Sequence, residues 1–172
     1  MTLPALSRWS ALGLAALLCG CAGYQLGPTG GQSAGARSVE IVPFLNDTLE
    51  PRLTDDLTGG LRKEFQRDGT FRLQTHGEAD VVVTGKVTSY NRRALSLAPT
   101  DLATGRDYRL EMTAQVIARE RGTGKVLLDQ PVMGSTLIRV ANDLTSTERQ
   151  ALPLLANDLA KRVVALLAEG GW

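Results

Sequence analysis

Two hydrophobic periods alternate along the chain. From Ala79 to Tyr90 the sequence ADVVVTGKVTSY puts Val81, Val83, Gly85 and Val87 on one face and Thr84, Lys86 and Thr88 on the other. That two-residue period predicts a strand with one dry face. After a turn-rich stretch from Pro99 to Gly105 the pattern returns. Tyr108, Leu110, Met112, Ala114, Val116 and Ala118 alternate with Arg109, Glu111, Thr113, Gln115 and Arg119, and Ile117 is the one apolar residue on the polar side. Arg121-Gly122-Thr123-Gly124 predicts a hairpin turn into a further strand, Lys125 to about Val140, with a bulge or break near Pro131 and Gly134. Ahead of these, Ser38 to Leu45 (SVEIVPFL) is β-rich and ends at the turn signal Asn46-Asp47, which predicts a first strand. Phe71 to Gln74 is only briefly β-prone.

The flanking segments carry the helical period. Leu53, Leu57, Leu61 and Phe65 recur every four residues and share one helix face. Pro51 suits the first turn, Asp55 and Asp56 sit toward the positive end of the helix dipole, and Gly69 suits the C-cap. Gly59-Gly60 falls inside this helix, where each glycine costs about 1 kcal/mol relative to alanine, so a close backbone approach is expected there. A final helix is expected from about Ser146 to Glu169, with Leu152, Leu155, Leu159, Val163 and Leu166 as its stripe and Ala156 and Ala160 as close-packing neighbours. The order β-α-β-β-β-α predicts an α+β fold: a two-layer sandwich, a four-stranded mixed sheet with both helices on one face.

The N-terminus fits none of these periods. An apolar run from Ala11 to Leu18, about 8 residues, follows a short segment carrying Arg8; it is long enough for a signal-peptide core and far short of the roughly 20 residues that span a bilayer. It closes on Leu18-Cys19-Gly20-Cys21, which resembles a bacterial lipobox. The expected organisation is a lipoprotein signal peptide over 1–20, lipidated Cys21 with a flexible linker over 21–37, and one domain over 38–172. Two or more acyl chains on Cys21 would hold the protein on a membrane stably. Ala22 stands where an aspartate is associated with inner-membrane retention, so the expected destination is the periplasmic face of the outer membrane. The linker AGYQLGPTGGQSAGAR is Gly-rich and aperiodic; about 16 such residues reach roughly 20 to 25 Å.

Composition then narrows the chemistry. Cleavage removes Cys19 and lipidation consumes Cys21, so neither of the 2 cysteines stays free and no disulfide framework is expected. Loss of the leader takes Arg8 from the 19 basic residues, and against 18 acidic residues the mature charge is about zero, which gives no basic grip on nucleic acid. His76 is the only histidine, so a zinc site or a Ser-His-Asp set has little to draw on, and no Gly-x-Ser-x-Gly elbow is present. Gly122-Thr123-Gly124-Lys125 lacks phosphate-loop spacing and sits between strands. The expectation is a protein with no catalytic residues, no metal and no cofactor. Arg92, Arg93, Arg106, Arg109 and Arg139 give basic character near the second to fourth strands. Arg92, Arg93, Arg106 and Arg139 are candidate ligand contacts on charge alone.

Several stretches together resemble one family. They are VEIVPFLNDTLEPRLTDDLTGGLRKEF, Ala79-Asp80 with the following Val83-Thr84-Gly85-Lys86-Val87, Asp107-Tyr108-Arg109-Leu110, Thr123-Gly124-Lys125-Val126-Leu127, and Cys21-Ala22-Gly23-Tyr24-Gln25-Leu26. In that order and spacing they resemble the LPS-assembly lipoproteins of the LptE family. The resemblance implies a small α+β lipoprotein seated in a large outer-membrane β-barrel, LptD, which it helps to assemble and plugs. It also implies lipopolysaccharide binding during delivery to the outer leaflet, with no turnover. Basic residues implicated in the family lie near the turn between the second and third strands and in the loop after the fourth. Here Ala98 to Gly105 has none, Arg106 follows, and the later loop offers Arg139. The rival expectation is a lipoprotein that activates or scaffolds a peptidoglycan synthase or other envelope complex. Reaching through the cell-wall mesh would ask for a longer linker.

Overall fold

The computed structural model describes residues 35–98, 101–140 and 143–170, with the side chains of 96–98 and 101–106 excepted. Cys21, the leader and the linker before residue 35 lie outside the described residues.

The first strand predicted from Ser38 to Leu45 is divided by its own proline. β1 spans Arg37–Ile41 and β2 spans Leu45–Asn46. Pro43 has no N–H to give a ladder, and the chain leaves the strand there to turn Phe44 inward, where it is 4% exposed. Phe44 fills the space above Gly85: a Cβ on that glycine would lie 2.3 Å from the Phe44 ring and 2.5 Å from the Gln115 carbonyl oxygen. Gly85 therefore keeps its place on the dry face because an aromatic ring from another segment supplies the missing bulk.

α1 (Leu53–Asp68) buries Leu53, Leu57, Leu61 and Phe65, as the four-residue period predicts. It ends at Gly69, whose φ of 75° lets its N–H reach the Phe65 carbonyl at 3.2 Å. The β-prone Phe71–Leu73 is a full strand, β3, parallel to β1, with Phe71 packed edge-on against Phe65 at 5.8 Å between ring centroids. Three residues in isolation carry too little signal to mark a strand; the parallel pairing supplies the hydrogen bonds that local sequence does not advertise.

β4 (Val81–Ala98) and β5 (Asp101–Glu120) form one long antiparallel hairpin. Of the turn expected over Pro99 to Gly105, residues 99 and 100 lie outside the described residues, and β5 already begins at Asp101, paired with Ala98. The pairing tolerates the turn-forming residues through register shifts between Ala94 and Ser96, Ser96 and Leu97, and Leu97 and Ala98. β6 (Val126–Arg139) completes the sheet, in the order β3-β1-β4-β5-β6 with β2 also paired to β4. The sheet thus has six strands, not the four expected, and is mixed: β1 is parallel to β3 and β4, while β4, β5 and β6 are antiparallel.

No break occurs at Pro131 or Gly134; the β5–β6 register runs unshifted through both. β6 is the outermost strand, so a proline there costs no ladder bond on its free side. Gly134 is small because α2 (Leu144–Glu169) presses onto it: a Cβ would meet the Leu159 Cβ at 2.7 Å and the Leu155 carbonyl at 2.9 Å. α2 starts two residues earlier than the sequence suggests, because Asp143 accepts from the Thr145 and Ser146 N–H groups and caps it. Its Pro153 is exposed, which leaves the unpaired helical carbonyl on the solvent side. The inner stripe continues through Val164 and Leu167, with Leu166 only half-buried. α1 and α2 pack together, Gly60 against Ala156 and Asn157, and one hydrophobic core fills the space between the helices and the sheet.

Candidate functional site

The four arginines singled out by charge are sorted by the pleat. Val81, Val83 and Val87 point into the core, and strict alternation would continue that face through Ser89, Asn91 and Arg93. A bulge between Val87 and Ser89 inserts one residue and shifts the phase. Tyr90 and Arg92 therefore lie opposite Met112 and Leu110 on the helix side, and Arg93 lies opposite Arg109 on the outer side.

Arg92 is engaged within the fold. Its guanidinium pairs with Glu148 at 2.5 Å, near the start of α2, and stands 5.9 Å from the centroid of the Tyr108 ring. The Tyr90 hydroxyl donates to the other oxygen of the same carboxylate. Burial, then the hydrogen bond to Glu148 and its charge, push the Tyr90 pKa well above its ordinary 10.0. This cluster ties the far part of the hairpin to the second helix. Arg139 donates to Asp107, its cross-strand partner, at 2.7 Å. The side chain of Arg106 lies outside the described residues.

Arg93 and Arg109 stand apart from these. They are Cα partners, both exposed, and make no ion pair among the described residues. The sequence marks Arg93 as a candidate contact and Arg109 only as part of the basic character; the antiparallel register is the signal that joins them. On the same outer face Leu137 is opposite Arg109, and Met133 is opposite Thr113; they are 64% and 53% exposed. At the other end of this face an apolar hollow of about 480 Å³ is lined by Val42, Pro43, Leu45, Thr84, Gln115 and Ile117, with Lys86 at its edge held by Asp47 at 2.7 Å.

Among the described residues no cluster of three or more His, Cys, Asp or Glu is arranged to hold a metal ion, and no helix is long and apolar enough to cross a membrane. His76 is exposed between β3 and β4, its Nδ1 3.0 Å from the Thr75 hydroxyl. The geometry offers surfaces for recognition: a solvated sheet face with a basic pair and bare aliphatic residues, on a rigid two-layer support.

A family model described as LptE, lipopolysaccharide-assembly, matches residues 36–167. No curated protein matches the sequence. Among solved structures, a hypothetical protein of Chlamydia trachomatis is similar in fold at a TM-score of 0.58 and 10% identity, covering 81% of this chain and 98% of its own. A protein of Xanthomonas campestris follows at 0.56 and 11%, covering 78% and 85%. A minor lipoprotein of Acinetobacter baumannii reaches 0.50 and 16%, covering 77% and 92%. At these identities the likeness is one of fold.

Proposed function

Because this chain belongs to the LptE lipopolysaccharide-assembly family, we propose that it is an outer-membrane lipoprotein that seats in an LptD-like β-barrel, supports its assembly as a plug, and binds lipopolysaccharide during insertion into the outer leaflet. The observation that carries this is the extent of the family match, residues 36–167, which runs from the start of β1 to the last turns of α2 and so takes in the folded domain. In this reading residues 1–20 are the signal peptide, Cys21 carries the acyl chains, and the linker after it spaces the working unit, whose first strand starts at Arg37, at the periplasmic face.

The chemistry required is recognition without turnover, and the fold is suited to it. A plug must hold its shape against a surrounding wall, and a close-packed core resists deformation. Tyr90, Arg92 and Glu148 extend that rigidity along the hairpin beyond the buried core. The Gly-rich linker, at roughly 20 to 25 Å, keeps the domain near its anchor and favours a partner within the membrane over one beyond it.

Affinity purification of the membrane-extracted protein tests the proposal. A large outer-membrane β-barrel should co-purify in stoichiometric amount, with lipopolysaccharide. Recovery of a peptidoglycan synthase and no barrel would overturn it in favour of the scaffold role. Mass analysis of the mature N-terminus should show a triacylated Cys21.

A further inference from the structure

The apolar hollow on the outer sheet face is built from two rows. Val42, next in the chain to the β1 partner of Val83, lies beside Thr84, and Thr84 is opposite Ile117. Leu45 is opposite Lys86, and Lys86 is opposite Gln115. The rows stand two residues apart on β4, about 7 Å. Between them Pro43 breaks the strand and Phe44 turns inward, so the surface dips there. The one cation on its rim is taken, because Lys86 is paired with Asp47 at 2.7 Å. Gln115 gives its amide N–H to Asp129 at 2.7 Å and keeps its amide oxygen to accept. Leu45 is 68% exposed, and Ile117 is the apolar residue that interrupts the polar side of β5. An occupant that fits is uncharged, apolar at two points two residues apart, and able to donate a hydrogen bond at one of them.

We infer that the hollow is filled by this chain's own Tyr24-Gln25-Leu26, with Leu26 in the row of Val42 and Ile117 and Tyr24 in the row of Leu45 and Gln115. Residues 22–36 carry no charge, and Tyr24 and Leu26 are their only large apolar side chains. Two residues apart, the pair falls on one side of an extended segment, with Gln25 on the other. The tyrosine brings an apolar body and a hydroxyl that donates to the Gln115 amide oxygen. Chain length permits the contact. The Gly35 N–H is fixed to the Thr70 carbonyl at 3.1 Å, and from Gly35 the backbone covers at most about 23 Å to Val42, with the second row about 7 Å farther on. Nine residue steps from Leu26 to Gly35 reach about 30 Å and eleven from Tyr24 about 36 Å, so the order of the rows follows the order of the segment. Tyr24 then stands three residues from Cys21, within about 10 Å. That the contact holds this end of the outer face against a bilayer rests on the proposed lipidation of Cys21; the docking itself does not.

The test uses the full mature lipoprotein in detergent, where chymotrypsin can cut after Tyr24 and Leu26, and the mass of the released domain identifies the cut. Cleavage of the wild type should be slow. Leu45→Ser/Ile117→Ser should speed it about tenfold or more, since proteolysis tracks the undocked fraction. A second measurement covers the case in which that variant unfolds. Leu26→Cys/Ile117→Cys should form a disulfide several-fold faster than Leu26→Cys/Arg119→Cys, although Arg119 shares a row with Glu40 and lies nearer the point where the chain enters β1. Equal or faster crosslinking at Arg119 is what an undocked segment gives, and it overturns the inference. Equal cleavage of the wild type and a folded hollow variant also overturns it. So does protection that needs a co-purified β-barrel, which assigns the hollow to the barrel. Failure of the docking leaves the proposed function standing. A Cys21 without acyl chains overturns the bilayer contact and the anchor in the proposed function, while the cleavage and crosslinking results still decide the docking.

Discussion

At the scale of single residues, glycines show how position decides the sign of one substitution. Gly59 lies inside α1 with nothing within 4 Å of a built Cβ. Gly59→Ala should therefore raise stability by about 0.5 to 1 kcal/mol, through helix propensity and a less disordered unfolded chain. Gly134→Ala should lower it by about 1 to 3 kcal/mol, because the added methyl would sit 2.7 Å from the Leu159 Cβ and 2.8 Å from its backbone nitrogen, neither of which can swing away. Urea midpoints of the two variants, moving in opposite directions, check both. Asp80 gives a pH dependence. Its carboxylate accepts from the Ser38 N–H and hydroxyl, each at 2.7 Å, and these bonds hold its pKa below the ordinary 3.8. A depressed carboxyl contributes stability that is present above the unfolded value and is lost as pH falls through the folded one. The melting temperature of Asp80→Asn should thus lie below that of the wild type at neutral pH, and the gap should narrow once the pH drops below 3.8.

At the scale of elements, the long hairpin and the outer strand carry the exposed risks. The distal hairpin is fastened to α2 through Glu148, which takes both the Tyr90 hydroxyl and the Arg92 guanidinium. Glu148→Gln should lower the Tyr90 titration midpoint, followed by ultraviolet absorbance, because a hydrogen bond to a charged acceptor and its charge are lost. The midpoint should stay above 10.0, since burial is the largest cause of the shift. Amide exchange should rise along the distal parts of β4 and β5. β6 is a 14-residue edge strand, long enough to recruit another chain. Two devices blunt it. Pro131 offers no N–H, and the Ser135 N–H is taken by the Asp158 carboxylate at 2.9 Å. Asp158→Ala should free that donor and promote self-association, visible as a concentration-dependent increase in sedimentation; a variant that stays monomeric would show that Pro131 alone is enough.

At the scale of the whole molecule, the described residues form one core between two helices and a six-stranded sheet, and the proposed function places a lipid anchor ahead of it at Cys21. On the proposed function, Cys21→Ser should move the protein from the membrane fraction to the soluble periplasmic fraction while leaving the melting temperature of the domain unchanged, because the core is built from Val39 onward. Periodicity alone determined the dry faces of β4 and β5, the α1 stripe and most of the α2 stripe, since burial of a repeating face is a local constraint written into every second or fourth residue. The family was likewise legible in the sequence, over residues that the family model matches. Other features came only with the tertiary structure. β3 and β2 are too short to declare themselves and exist through pairing. Pro131 and Gly134 look like interruptions until β6 proves to be an edge strand lying under a helix. The bulge at Thr88 decides that Arg92 turns toward Glu148 and Arg93 toward Arg109. Alternation fixes which residues share a face, but a single inserted residue reverses that face for all that follow. Register across strands, not order along the chain, therefore decides which arginine turns to a helix and which lies across from another arginine.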